Sequence, residues 1–258
     1  MRDLGFDRVV VILDPGGERR AAVEAAVEMA SALRLPLHGI FVEDESYLDL
    51  AGLALSSHVA LGCQEPGALE SGLLAAAIKV EARRSRELFE AVAQRVGVPT
   101  TFAEWRGRPN LGNVGVRVTD LVVVEGYSRP LTGQARMRSL WSRRLASADA
   151  SVLILKHELA RNLVIGRIAD GETQMRPTQL ADMLARHLAG SIVRLQKEEI
   201  SDAGDETGSR APAAGKPIPH YADLRCDMVI VEEDEADIGI SSALIAKGRC
   251  SVLVLRRR

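Results

Sequence analysis

The sequence predicts an α/β fold in which one complete sandwich of sheet and helices is followed by a shortened second copy. Three observations carry this expectation. Short β-branched runs, such as VVVIL at 9–13 and LVVV at 121–124, lack polar alternation, as strands covered on both faces do. Amphipathic helical stretches stand between them, the pattern of an α/β layer structure. Two apolar runs in the second half, at 227–231 and 250–255, echo 120–124 and 150–155 in the same order, which is an internal repeat.

Taken along the chain, the run RVVVILD at 8–14 reads as a buried strand that ends at the turn signal Pro15-Gly16-Gly17. Residues 18–33 read as a helix with Val23, Ala26, Val27, Ala30 and Leu33 on one face and Glu24, Glu28 and Ser31 pointing away. Residues 37–42 are a second strand, which completes a right-handed βαβ unit. The stretch 46–67 is less regular. Residues 68–96 form a long helix whose charges, Lys79 to Glu90, are a solvated face, and Gly97 and Pro99 end it. Strands follow at 100–105, 121–124 and 152–155, with a helix at 139–148 placing Leu140, Leu145 and Ala148 inward. Residues 1–157 therefore make a complete domain of ordinary size.

The second half, 158–258, reads as a reduced version. Strands are expected at 163–168 and 191–195, a helix at 178–188 with Leu180, Met183, Leu184, His187 and Leu188 on one side, and closing strands at 227–231 and 250–255. The Gly-, Pro- and charge-rich segment 201–219 replaces the long helix and third strand and reads as a flexible loop.

Composition narrows the function. The chain has 258 residues, is 47% hydrophobic and carries a net charge of −2 from 33 basic and 35 acidic residues, without the basic excess of a general nucleic-acid binder. No apolar run reaches the ~18–20 residues needed to cross a bilayer, and 9–13 is too short for a signal-peptide core. A cytoplasmic protein with no membrane and no nucleic-acid partner is expected. Cys63, Cys226 and Cys250 are far apart in sequence, odd in number and form no CxxC pair, so free thiols in a reducing compartment are the simple reading. The five histidines, His38, His58, His157, His187 and His220, show no metal-ligand spacing, and neither a GxSxG elbow nor a GxxxxGK[ST] loop is present. No metal site and no catalytic residue is assigned. Trp105 and Trp141 are single aromatics, and Arg256, Arg257 and Arg258 read as a solvated tail.

The strand ending in Asp14, the segment GIFVEDESYLDLAGL at 39–53, the long charged helix, and Arg106-Gly107 after strand three together resemble the universal stress protein family. The phrase FVEDESYLDLAGL at 41–53 is similar to a subgroup of bacterial tandem members, and the second half resembles the same domain weakly. The resemblance implies a doubly wound sheet of five parallel strands ordered 3-2-1-4-5, with ATP bound in some members at the carboxyl ends of strands one and four, where the switch-point rule places ligands. It also implies pairing through fifth strands. A tandem chain makes that contact internally, 151–155 beside 251–255, as an intramolecular pseudo-dimer, or as a homodimer of such units.

ATP-binding members carry a loop of the form G-x2-G-x9-G-[ST], whose glycines let the backbone approach phosphate and whose N–H groups hold it. Here Gly126 matches the first glycine. Strict spacing puts Arg129 at the second glycine and Ser139-Leu140 at G-[ST], whereas alignment back from strand five puts Arg138 at the third glycine and Ser139 at the Ser/Thr; either way one of the three glycines is kept. Asp14 matches the acidic position where the family contacts ribose and adenine, and Val42 a position whose backbone meets adenine. The candidate cofactor-binding residues are therefore Asp14, Val42, Gly126, Arg138 and Ser139. The leading expectation is a non-catalytic stress-response or regulatory protein with a degenerate nucleotide site and an unidentified protein partner. The alternative is a sensor of ATP, AMP or another anion in domain one, with Arg129, Arg136, Arg138 and Arg143 supplying charge. A weak ATPase is the third. In the second half, the acidic run 232–237 stands at the phosphate position and reads as a solvated turn that repels a nucleotide.

Overall fold

The computed structural model describes residues 4–15, 19–45, 57–58, 67–68, 71–107, 114–128, 137–138, 149–159, 162–169, 175–196, 224, 226–233, 241, 244–245 and 249–256. The main sheet is built from β1 (Arg8–Leu13), β2 (Leu37–Asp44), β3 (Thr100–Gly107), β4 (Asp120–Glu125), β5 (Ser151–Leu155), β6 (Val164–Ala169), β7 (Ser191–Gln196), β8 (Met228–Glu233) and β9 (Ser251–Arg256). The described helices are α1 (Arg19–Leu33), α2 (Ser71–Val96) and α3 (Met175–His187).

These nine strands form one sheet in the order β7-β6-β8-β9-β5-β4-β1-β2-β3. The first five read 3-2-1-4-5 and are parallel, as the doubly wound expectation required. On the other side β7-β6-β8-β9 are parallel among themselves. The single antiparallel pairing in the sheet joins the two sets: β9 runs against β5, with Val252 opposite Ile154, Leu253 opposite Leu153 and Val254 opposite Val152.

Strand side chains alternate between two cores. Val9, Val11, Leu13, Leu121, Val123, Leu153, Ile165, Ile230 and Leu253 face α1, α2 and α3. Val10, Ile12, Val122, Val124, Val152, Val229, Val252 and Val254 face a second apolar layer that includes Val114, Leu244 and Ile245. Burial on both faces explains why these strands are near-continuous Val, Ile and Leu. In α1, Ala22, Val23, Ala25, Ala26, Val27, Met29, Ala30 and Leu33 are all buried, a wider stripe than a single-face helix, because α1 packs on the sheet and also against α2 and α3. Gly97 takes φ of 74° just past α2 and its N–H reaches the Ala93 carbonyl, so the helix stops where a left-handed residue is required.

Several boundaries differ from expectation. β2 and β3 run two residues further, because Glu43 and Asp44 pair with Arg106 and Gly107 by main chain whatever their charge. α2 begins at Ser71. α3 begins at Met175, one turn early, and holds Pro177 in its first turn, where a missing N–H costs nothing. The expected helix at 139–148, most of the FVED segment and the 201–219 segment lie outside the described residues. Cys226 and Cys250, distant in sequence, stand together, with Sγ atoms 3.2 Å apart. Among the described residues no helix is long and apolar enough to cross a membrane.

His38, on β2, places Nδ1 2.7 Å from the Thr101 hydroxyl. Burial, aided by the Arg8 charge, lowers its pKa below the ordinary histidine value. A lowered folded value means the unfolded chain binds the proton more readily, so this contribution is present above pH ~6.5 and fades as pH falls through the lowered value. Urea midpoints measured between about pH 5 and about pH 7.5 are expected to rise with pH, and His38→Gln to flatten part of that rise.

Candidate functional site

The crevice of a doubly wound sheet lies where neighbouring strands send their connections to opposite faces, between β1 and β4. Asp14 and Pro15 follow β1 directly, Asp14 half-buried and engaged with a partner, Pro15 buried. Val42, on the adjacent β2, is fully buried and pairs with Trp105 of β3. Gly126 follows β4. Asp14, Val42 and Gly126 therefore sit at one end of three adjacent strands. Arg138 lies in a two-residue antiparallel ladder in which it pairs with Tyr127 and Met137 with Ser128. The backbone thus returns Arg138 to a place opposite Tyr127, the residue after Gly126. Ser139 lies outside the described residues.

Gly126 has a reason to be glycine that involves no ligand. Its N–H donates to the Leu155 carbonyl, and a Cβ there would stand 2.8 Å from that carbonyl oxygen and 3.1 Å from Ile154 Cγ2. The close approach of β5 demands the absence of a side chain. Gly126→Val is expected to lower stability by about 2 kcal/mol, read as a shift in the urea midpoint, through displacement of β5.

The corresponding point of the second half is β8. Glu125 on β4 pairs with Leu155, and Glu232 on β8 pairs with Leu255, so Glu233 occupies the place that Gly126 holds in the first half. Glu233 is only 4% exposed. Its two carboxylate oxygens accept from Ser241, one from the backbone N–H at 2.7 Å and the other from the hydroxyl at 2.5 Å. This corrects the reading of a solvated turn at Glu232 and Glu233; 234–237 lie outside the described residues. Glu232 is also largely buried, with a carboxylate oxygen 3.9 Å from Arg176. Charge alone suggested a solvent-facing loop, and only the hydroxyl and amide eight residues downstream reveal an internal acceptor.

Arg176, at the start of α3, is a second residue that sequence reasoning missed. Its guanidinium donates to the Leu4 carbonyl at 2.9 and 3.2 Å and to the Arg256 carbonyl at 2.8 Å, and it lies 5.4 Å from the centroid of the Phe6 ring. It ties the beginning of the chain to the end of β9. Among the described residues no group of three or more His, Cys, Asp or Glu could hold a metal ion.

No protein-family model matches the sequence. No curated protein matches it either. Solved structures do. A protein of Pseudomonas aeruginosa UCBPP-PA14, provisionally named a universal stress protein, aligns over 98% of this chain and 94% of its own at 12% identity, with a TM-score of 0.54. A functionally unknown protein of Pseudomonas aeruginosa PAO1 aligns over the same shares at 13% identity, also with a TM-score of 0.54. A Burkholderia pseudomallei protein from the universal stress protein family aligns over 60% of this chain and 98% of its own at 18% identity, with a TM-score of 0.37. Over nearly its full length, the chain has the α/β fold of a solved structure given the universal stress protein name.

Proposed function

We propose that this chain is a cytoplasmic, non-catalytic stress-response protein of the universal-stress-protein kind, a tandem of a complete domain, 1–157, and a reduced domain, 158–258, with a degenerate nucleotide site. The tandem reading is supported by strand order: β7-β6-β8-β9 repeats 2-1-4-5 of the first half, with no counterpart of the third strand among the described residues. Asp170 follows β6 in the sequence as Asp14 follows β1. The junction has twofold character, since the Lys156 N–H donates to the Ser251 hydroxyl at 3.2 Å and the Arg256 N–H to the Ser151 hydroxyl at 3.1 Å.

The observation that carries the degenerate site is Glu233. Its carboxylate takes the amide and hydroxyl of Ser241, donors of the kind a phosphate would use. A triphosphate placed there would have to displace a buried anion and would face Glu232 beside it. The second reading, an ATP or AMP sensor in domain one, is favoured by Asp14, Val42 and Gly126 standing at one end of three adjacent strands with Arg138 returned opposite Tyr127.

Calorimetric titration of the full chain with ATP and with AMP separates the readings. The proposal expects no micromolar binding. Micromolar binding that disappears in Asp14→Ala supports the sensor instead, and ATP hydrolysis well above background lost in the same variant supports an enzyme.

A further inference from the structure

We propose that Cys226 and Cys250 form a reversible intramolecular disulfide when the protein meets a hydroperoxide, making the second half of the chain a thiol-oxidation site. The residues lie just before β8 and β9, neighbouring parallel strands. Their Sγ atoms are 3.2 Å apart, against about 2.05 Å for the bonded pair, so a small side-chain rotation closes the gap. The backbone on each side is fixed. Asp227 donates its N–H to the Val164 carbonyl and accepts the Val164 N–H on its carboxylate, and the Ser251 N–H reaches the Asp227 carbonyl at 2.9 Å. Both cysteines thus stand one residue outside a hydrogen-bonded anchor, which holds the sulfurs facing each other.

The two sulfurs differ. Cys250 is 1% exposed, whereas Cys226 is half-buried, so an oxidant reaches Cys226 first. In the neutral pair the Cys250 thiol also stands 3.6 Å from the Leu224 carbonyl. The hydrogen bond available from the Cys226 thiol, with the Lys156 charge as a smaller contribution, brings the Cys250 thiol down to about 7, while Cys226 is pushed up by that same hydrogen bond and by burial. Cys250 is thereby suited to resolve an oxidised Cys226. Passing its proton across the 3.2 Å contact to the Cys250 thiolate, the Cys226 sulfur attacks the outer peroxide oxygen; the O–O bond breaks, and the alkoxide (or hydroxide, from hydrogen peroxide) leaves and is protonated by water, giving the Cys226 sulfenic acid. The Cys250 sulfur then attacks the Cys226 sulfur, the S–O bond breaks, and hydroxide departs with the Cys250 proton as water. Two thiols lose two electrons to one O–O bond.

A shared metal fits less well. Two thiolates on one tetrahedral zinc, each at about 2.3 Å, stand roughly 3.8 Å apart, and among the described residues no cluster supplies further ligands. The bond would close residues 226–250 into a loop that contains β8, Glu233 and Ser241.

The full chain, reduced and freed of reductant, is treated with hydrogen peroxide, alkylated and mapped by mass spectrometry without reduction. The expected product is a peptide pair linked through Cys226 and Cys250, two hydrogens lighter than the two thiol peptides, and reversed by dithiothreitol. The same link is expected in Cys63→Ser and none in Cys226→Ser. Oxidation is expected to raise the melting temperature by about 5 °C, an increase absent in Cys226→Ser. Separately alkylated Cys226 and Cys250 after peroxide treatment, a link from either to Cys63, or sulfinic acid at Cys226 overturns the proposal.

Discussion

Asp120→Ala is expected to remove about 3–5 kcal/mol of stability. Asp120 opens β4 and is fully buried. Its carboxylate takes Nε of Arg8 at 2.8 Å on one oxygen, and Nη2 of Arg8 at 2.9 Å and the Arg117 N–H at 2.7 Å on the other. Arg8 begins β1 and pairs with Asp120 in the ladder, so the fork-to-carboxylate contact fixes the register of β1 against β4. Arg8 also donates to the Gly115 carbonyl at 2.8 Å, which holds the approach to β4. Removing the carboxylate leaves a guanidinium only one-fifth exposed without its counter-charge, and an amide without its acceptor. The Arg8 pKa, raised chiefly by the Asp120 hydrogen bond, records the same dependence. Urea unfolding of Asp120→Ala, Arg8→Met and the double variant checks it. The double variant is expected to lie closer to wild type than the sum of the two single losses, because the pair is removed together. Additive losses would mean that the contact contributes nothing as a pair.

The strands were legible because burial on both faces leaves a composition no other element shares: VVVIL, LVVV, VLIL and VLVL are too short and too β-branched to be helices. Their ends were less legible. Main-chain pairing carries β2 and β3 through Glu43, Asp44, Arg106 and Gly107, where side-chain polarity argues for a turn. The helix expected from 178 begins at Met175, so Pro177 lies inside its first turn. Asp14, Val42 and Gly126 were found from family pattern and position, and the sheet brings their main chains to one end. Glu233 was misread because a run of acidic residues looks solvated unless its donors are known, and Ser241 carries no signal that it points back. The Cys226–Cys250 contact spans 24 residues and depends on two strands lying side by side, which spacing alone does not reveal.

Residues 1–157 alone are expected to form a dimer, and the full chain is expected to be a monomer. In the full chain β5 has β4 on one side and β9 on the other. Without β9, the hydrogen-bonding groups of Val152, Leu153 and Ile154 become an apolar sheet edge, which another chain can pair with. The register makes that edge self-complementary. Leu253 stands opposite Leu153, flanked by Val252–Ile154 and Val254–Val152, so a second copy of β5 supplies nearly the same side chains as β9. The α1 face now packed against α3, including the Glu28–His187 pair at 2.8 Å, would receive the other copy's α1 in the same arrangement. Light scattering after gel filtration tests both statements. A folded monomer of 1–157, or a stable dimer of the full chain through β5, would sink the tandem reading. Within the full chain, Leu153→Ala and Leu253→Ala are each expected to cost about 3 kcal/mol, since both side chains are fully buried at the centre of the junction. Their combined loss should depart from additivity by about 0.5 kcal/mol or more, because each truncation changes the space left by the other. Strict additivity would mean that the two leucines pack against their own halves and that the antiparallel ladder, rather than side-chain contact across it, joins the halves.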